Sequence, residues 1–470
     1  MGSEKITVEF NDGTLLFRGM TPAVVAGLPQ DAIKADDRVG GAYRALACNY
    51  SPLILALRQA GYTVEDNAKG FSPVKLILQS PFPPRDYQLQ ALEAWKQHGY
   101  RGIIALPTGS GKSFVGALAC AKLGRQALVV VPTIDLMHQW AASLGKFFNM
   151  EIGLLGGGFH NISDITVATY DSAALHMRDL GNRFGLLICD ECHHLPGPRN
   201  RSAAEDTLAP YRLGLSATPD LEGDAAVVLK RVLGELCCNL QINDLAGRVL
   251  AEYCIKQVPL SLSQEELAEY QETRSIYTAF VRRRRIDFRK PDGWTAFLKA
   301  CAVSGREGRQ VFSAFLRQRE LSRGGEAKYR AVWDILCRHI DERIIIFTAS
   351  NAQAYETGER FSLPVLTHRT KANERKGMLE NFRTGKYPVL VSSRVLNEGV
   401  DVPEANIGIV VSGTSTGREY LQRLGRILRP AAGKKQAVLY ELVNADTAEY
   451  YVAKRRVENT RKSLEPHFTE

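Results

Sequence analysis

The chain has 470 residues, 45% of them hydrophobic and 24% charged, with a formal net charge of +9. This composition is near the globular average and argues against a mainly disordered or collagen-like chain. At roughly 100–200 residues per domain, the length points to three or four domains. No run approaches the ~18 apolar residues that a membrane span needs, so no membrane is expected among its partners. Met1–Lys5 opens no apolar signal stretch, and nine cysteines, an odd number, speak against a disulfide framework. A reducing cytoplasm is the expected compartment.

The charge is unevenly spread. Residues 1–80 carry 8 basic and 8 acidic side chains, and residues 81–245 carry 14 and 16. Residues 246–330 carry 17 and 10, and residues 331–470 carry 21 and 17. Most of the excess therefore lies in one block of the second half. A polyanion such as nucleic acid is its natural partner; solubility is the other use of such charge.

Residues 1–80 show β-like runs at Ile6–Phe10, Thr14–Phe17 and Val74–Leu78 around a helical stretch near Leu53–Gln59. Breakers stand at Asn11–Gly13 and Asp66–Asn67. A small α+β domain is expected, closed by the stiff segment Ser80–Pro84. From Arg85, apolar runs alternate with helical stretches: Gly102–Leu106, Ala127–Val131, Asp164–Ala168, Leu186–Cys189 and Arg212–Leu215. Runs without polar alternation suit strands buried on both faces of a parallel sheet. Residues 263–323 lack them. There Tyr270, Tyr277, Phe280 and Val281 share one helical face beside many charges, which predicts a helical insertion. The rhythm resumes at Ile344–Phe347, Val389–Val391, Ile407–Val411 and Ala437–Tyr440. The expected class is α/β, with two parallel-sheet domains and a basic helical piece between them.

Gly102 to Leu106 leads into Pro107, Thr108, Gly109, Ser110, Gly111, Lys112 and Ser113, an apolar run followed by a Gly-rich turn that opens a helix. Glycines let backbone N–H groups approach phosphates, and the helix N-terminus favours their charge. Lys112 would reach the β- and γ-phosphates of ATP, and Ser113 would ligate magnesium. The strict pattern places a glycine where Leu106 stands. Leu186 to His194 ends a buried run in two carboxylates, at the end of a parallel strand where ligands gather. Asp190 would hold magnesium through water, and Glu191 would orient and deprotonate the attacking water. Cys189 and Cys192 form a CxxC, but Cys237 and Cys238 make a poor second pair for zinc. Core packing is expected for Cys189 and a loop contact for Cys192. His193 is either a polar loop residue or a relay of nucleotide state. Ser216 and Thr218 follow a strand and could link the acidic pair to the second domain. Val395–Pro403 is a turn with acids on either side of Gly399. Gln422, Arg426 and Arg429 fall at i, i+4 and i+7, one helical face. Two guanidiniums and an amide there suit the developing charge of the γ-phosphate.

Together these segments resemble the helicase motifs of superfamily 2, in order, from Arg85–Gln88 through Pro107–Ser113, Pro132–Thr133, Asp190–His193, Ser216–Thr218 and Asn397–Pro403 to Gln422–Arg429. Within the superfamily the chain resembles the XPB branch in its short archaeal form, on Gly40–Leu46, Leu180–Phe184, Asp190–Pro196, His368–Thr370, Gln422–Pro430 and Val438–Leu442. The resemblance implies an N-terminal damage-recognition-like α+β domain over 1–80 and a RecA-like helicase domain over 81–245. A linker with a helical thumb over 246–330 and a second RecA-like domain over 331–470 would follow. It implies nucleotide contacts from Arg85, Gln88 and Asp401, coupling roles for Glu398, His193, Ser216 and Thr218, and a 3′-to-5′ direction. The implied function is ATP-driven opening or remodelling of double-stranded or forked DNA in excision repair, by a monomer. The branch carries an Arg-Glu-Asp element just after the Ser-Ala-Thr turn. Pro219–Asp224 lacks its arginine, which leaves the strand-separating role open. Two other readings share the motor: an ATP-driven clamp that does not unwind processively, and a defence-system motor whose nuclease partner acts in trans. Arg282, Arg283, Arg284 and Arg285 stand where a thumb helix is expected to end, placed for phosphate contact that reads no sequence.

Overall fold

The computed structural model describes residues 5–29, 32–245, 252–290, 292–393, 405–412, 436–454 and 468–469. These fall into two units, up to residue 241 and from residue 242 onward.

The first unit opens with a five-stranded sheet. Its strands are β1 (Lys5–Asn11), β2 (Thr14–Arg18), β3 (Ile33–Ala35), β4 (Ala42–Leu46) and β5 (Thr63–Asn67), in the order β3-β4-β2-β1-β5. β1 and β2 form a hairpin through Asp12 and Gly13, whose φ angles are +47° and +73°. The helix Tyr50–Gln59 buries Leu53, Ile54 and Leu57 against the sheet. Two local expectations fail here. Asp66 and Asn67 do not break the chain but end β5, paired with Val8 and Glu9; an edge strand tolerates such residues because one side is open. Val74–Leu78 forms no strand. Its flanks bond helix ends instead: Val74 N–H donates to the Gly124 carbonyl at 2.9 Å and Gln79 N–H to that of Phe147 at 2.6 Å. Helix C-termini leave such carbonyls without partners, and an extended tether satisfies them.

The second sheet has eight strands: β6 (Arg101–Ala105), β7 (Ala127–Val131), β8 (Gly153–Gly156), β9 (Phe159–Asn161), β10 (Ile165–Thr169), β11 (Leu186–Asp190), β12 (Tyr211–Ser216) and β13 (Leu236–Asn239). Their order is β13-β6-β12-β11-β7-β10-β8-β9, and every pair except β8–β9 is parallel. β7, β10 and β11 are buried at every residue, which is why their sequences run apolar without alternation. The buried Arg212 guanidinium donates to the carbonyls of Ala209, Ala204, Val232 and Thr207, tying the chain around β12 together.

The first sheet docks on this domain. Leu208 lies in its apolar core, Gly13 N–H donates to the Arg178 carbonyl at 3.0 Å, and Asn182 Nδ2 donates to the Ala68 carbonyl at 3.1 Å.

The second unit contains a seven-stranded, all-parallel sheet of β14 (Glu252–Leu260), β15 (Ile344–Phe347), β16 (Val365–Leu366), β17 (Val389–Ser392), β18 (Ile407–Val410), β19 (Gln436–Asn444) and β20 (Phe468–Thr469), in the order β16-β17-β15-β18-β19-β14-β20. β14 falls in the stretch expected to be linker. Its alternation of buried and exposed residues is that of a strand near the sheet's edge, not of a fully buried one. Three helices come next, Gln264–Arg283, Gly293–Val303 and Gly305–Arg323. They enclose a small aromatic core of Phe280, Phe297 and Val311, with Tyr277, Val281 and Phe315 packed on it. Ser263 and Glu266 close a reciprocal capping box at the start of the first helix.

The Asp206 carboxylate packs under the β1–β2 turn; a Cβ placed on Gly13 would lie 2.9 Å from its Cγ. Burial pushes the Asp206 carboxyl up to about 6, opposed by Arg178 and reinforced by Glu205 and Asp12. An acid raised in the folded state binds more protons there than in the unfolded chain. Its contribution therefore favours folding at acid pH and is lost as pH rises from about 4 to about 6. Asp206→Asn should raise the melting temperature at pH 8 by a few degrees and leave it nearly unchanged at pH 4. Calorimetry at the two pH values checks this, and equal shifts at both would show that Asp206 does not titrate in the fold.

Candidate nucleotide site

The site is built at the carboxyl ends of β6, β11 and β12. The turn after β6 is shaped by Gly109 and Gly111, at φ +85° and +82°, and it opens the helix Lys112–Leu123. Positive φ at Gly111 admits no side chain cheaply; a Cβ there would also lie 3.0 Å from Gln88 Nε2. Ser110 Oγ donates to the Pro107 carbonyl at 2.7 Å, and Ser113 sits in the first turn of the helix. Arg85 precedes the helix Asp86–Gln97. Its N–H donates to Gln88 Oε1 at 3.0 Å, and Gln88 Nε2 donates to the Ser110 carbonyl at 3.3 Å, so the two are tied directly to the glycine turn.

Lys112 Nζ lies 3.0 Å from Glu191 Oε1, and both side chains are largely buried. Glu191 comes directly after β11 at φ +45°, a left-handed conformation that a non-glycine residue holds at a cost and that recurs at functional sites. Asp190, the last residue of β11, is buried. Its Oδ2 accepts from Trp140 Nε1 at 2.7 Å and its Oδ1 from the Glu191 N–H at 3.0 Å. Burial, with the Glu191 charge beside it, pushes the Asp190 carboxyl up to about 6; Lys112 and the two N–H donors pull the other way. A divalent cation would favour the ionised form.

Ser216, the last residue of β12, connects the acidic pair to His193 and to the Thr218 turn. Its Oγ lies 3.1 Å from His193 Nδ1 and 3.5 Å from Glu191 Oε2, and it accepts from the Thr218 N–H at 3.1 Å. Thr218 enters this network through its backbone. Its hydroxyl, like that of Thr108 in the glycine turn, is buried without a hydrogen-bond partner among the described residues. Buried hydroxyls are ordinarily satisfied, so a polar ligand beside both turns is the natural completion.

Cys189 and Cys192 both pack into the apolar core with Leu187, Leu195 and Val232. Cys192 is thus a core residue and not a loop contact, because the turn after Glu191 folds inward as a single 3-10 turn. Glu398, Asp401, Gln422, Arg426 and Arg429 lie outside the described residues. Arg282 and Arg283 end the helix Gln264–Arg283, with Arg284 and then Arg285, at φ +50°, just beyond it. All four are exposed, and Arg283 also pairs with Glu307.

Sequence reasoning passes over Trp140, Tyr170 and Tyr87. Tyr170 OH donates to the Asp190 carbonyl at 3.0 Å, and Tyr87 OH donates to the Ser110 carbonyl. Trp140 has one signal in the sequence. Gly116 stands mid-helix opposite it, and a Cβ there would lie 2.7 Å from the indole.

A glycine turn with a lysine, an acidic pair on the neighbouring strand end and a Ser-Ala-Thr turn, in a chain with two parallel-sheet domains, define an ATP-driven helicase. Residues 8–68 match the Xeroderma pigmentosum group B helicase damage recognition domain. Residues 81–221 match the type III restriction enzyme res subunit, and residues 327–431 the helicase conserved C-terminal domain. The DNA 3'-5' translocase XPB2 of Sulfurisphaera tokodaii is 37% identical over 89% of this chain and 94% of its own length. The DNA 3'-5' helicase XPB of Mycobacterium tuberculosis is 30% identical over 85% of this chain and 68% of its own. The Hef helicase domain of Pyrococcus furiosus, 19% identical, shares the fold at a TM-score of 0.50 over 79% of this chain and 98% of that domain. The chain belongs to the XPB family of helicases, and its activity is DNA-dependent ATP hydrolysis.

Gly116→Ala should push the Trp140 indole away from Asp190, at a packing cost of about 1–3 kcal/mol. The expected result is a folded protein whose ATP turnover needs several-fold more magnesium. An unchanged magnesium dependence would remove Trp140 from the site.

Proposed function

We propose that this chain hydrolyses ATP to move 3′-to-5′ on DNA and to open or remodel forked and duplex DNA, in a repair role, as a monomer that can act beside a nuclease. The carrying observation is the Lys112–Glu191 ion pair next to buried Asp190. In this state Lys112 neutralises the carboxylate that would serve as base. The triphosphate of ATP competes for the same ammonium. Nucleotide binding therefore releases Glu191 to orient and deprotonate water at the moment the substrate is present.

Ser113 and Asp190 would hold magnesium, which neutralises charge on the β- and γ-phosphates. The donor set fits it: a hydroxyl at the helix start and a carboxylate already fixed by Trp140 and the Glu191 N–H. Arg85, Gln88, Thr108 and Asp401 complete the nucleotide contacts in this reading. Gln422, Arg426 and Arg429 meet the charge that develops in transfer. Ser216, with His193, Thr218 and Glu398, reports the state of Glu191 toward the DNA-handling parts. The hydrogen bonds of Ser216 to both sides of that relay support the assignment.

Glu191→Gln should lower DNA-stimulated turnover by at least about 100-fold, the usual worth of a general base, while ATP still binds. Turnover near that of the unmodified protein would overturn the role of Glu191. Replacing Arg282–Arg285 with Ala should weaken DNA binding evenly across sequences and reduce the slope of log affinity against log salt, because each phosphate contact releases a counterion. An unchanged slope would show that these arginines do not touch phosphates.

A further inference from the structure

The thumb helices leave large apolar groups uncovered beside their arginines. Phe288 is 42% exposed and Trp294 is 43% exposed, and Leu298 lies one turn beyond Trp294 on the same helix, 39% exposed. Neither ring is loose. Both rest on the fully buried Phe297, with centroids 5.9 and 5.4 Å away, and Trp294 also packs on Phe315 at 5.3 Å. A buried ring thus props up two others, each with part of its surface open to solvent.

The charge around them is mostly basic: Arg282 to Arg285, Arg289 and Lys290 outnumber Asp287, Asp292 and Glu307, of which Asp287 pairs with Arg289 and Glu307 with Arg283. Phe297 contacts Phe280 at 6.5 Å, and the guanidiniums of Arg283 and Arg284 lie over the Phe280 ring at 5.7 and 5.6 Å. Arg282 and Arg285 are exposed beside them, and Lys290 is exposed in the loop that leads to Trp294. A rigid, half-open aromatic pair inside a cationic rim is the arrangement that holds single-stranded nucleic acid: the rim follows phosphates and the rings stack on bases. The basic excess left after those two pairs favours a polyanion. A closed duplex offers its phosphates but hides its base faces, so the rings can engage only unpaired bases.

We propose that Phe288 and Trp294 form a base-stacking platform on the thumb, specific for the unpaired strand of a fork or a gap and independent of base identity. This rests on the DNA-dependent reading above and names the part of the substrate that the thumb holds. The arginines give affinity for any phosphate backbone; the rings give the preference for unpaired bases.

The test measures binding of fluorescent single-stranded, forked and blunt duplex DNA of mixed sequence, at two salt concentrations, to the full chain and to three variants. Phe288→Ala with Trp294→Ala should weaken single-strand and fork binding by about 5- to 150-fold, the range that alanine replacement of a stacking ring gives. Blunt duplex binding and the salt slope should stay as they are. Trp294→Phe keeps a ring and should recover most of the loss, which separates stacking from damage to the thumb. Single-stranded DNA should also quench the tryptophan emission of the unmodified chain more than that of Trp294→Phe. The Arg282–Arg285 alanine variant should instead weaken all three DNAs and reduce the slope. Equal losses on duplex and single strand in the ring variant, or no loss on any DNA, would overturn the platform; in the second case the rings are left for a protein contact. A single-strand loss in the ring variant beside an unchanged slope in the arginine variant would keep the platform and sink only the phosphate assignment.

Discussion

The ion pair between Lys112 and Glu191 is the contact on which the first helicase domain is organised. Two charges held 3.0 Å apart and largely out of water have lost much of their hydration, and each now depends on the other. Removing one partner leaves a desolvated charge, at a cost of roughly 3–5 kcal/mol. A ligand that replaces one partner with a better one has no such cost to meet. Triphosphate is that ligand for an ammonium. The surrounding contacts suit the exchange proposed above. Asp190 is pinned by the Trp140 indole and by the Glu191 N–H, neither of which depends on the Glu191 carboxylate. Ser216 lies within reach of both Glu191 and His193, so its hydrogen bonds must change when Glu191 does. On the proposed reading, the resting pair would hold the base inactive until nucleotide arrives.

Much of this arrangement can be read from the chain alone, and the exceptions share physical causes. Strands buried on both faces announce themselves, because every residue must be apolar; Ala127–Val131 and Ile344–Phe347 are found to the residue. β14 escapes because its polar and apolar residues alternate and it adds to the sheet far from the other early elements in sequence. Val74–Leu78 has strand composition, but Val74 and the following Gln79 spend their N–H groups on helix-end carbonyls and not on a sheet. Lys112, Asp190 and Glu191 are legible because they stand at a Gly-rich turn and at the end of an apolar run, both local patterns. Trp140, Tyr170 and Tyr87 are not, because they reach Asp190 and Ser110 from other helices and no fixed spacing links them. The empty space that Gly116 keeps open for Trp140 is the one trace such a partner leaves in the sequence.

The thumb's usefulness to a motor depends on how stiffly it is mounted, and within its own unit the mounting is dry and polar. Lys328 Nζ, fully buried, donates to the Val411 carbonyl at 2.7 Å and pairs with Glu449 at 2.6 Å. Asn444, at the end of β19, donates to the carbonyls of Ser322 and Gly324, where the last thumb helix ends. Tyr270, on the first thumb helix, accepts from the Ala448 N–H at 2.9 Å. An apolar joint would allow sliding, since dispersion contacts are nearly indifferent to small shifts. A buried lysine, carboxylate and carboxamide are not indifferent: any sliding strands a donor or a charge without its partner. The thumb is therefore tied to the end of β19, and Lys328, on the helix that follows the thumb, ties that region to the end of β18. If the thumb grips a strand as proposed, these contacts would make the strand move with the end of β19.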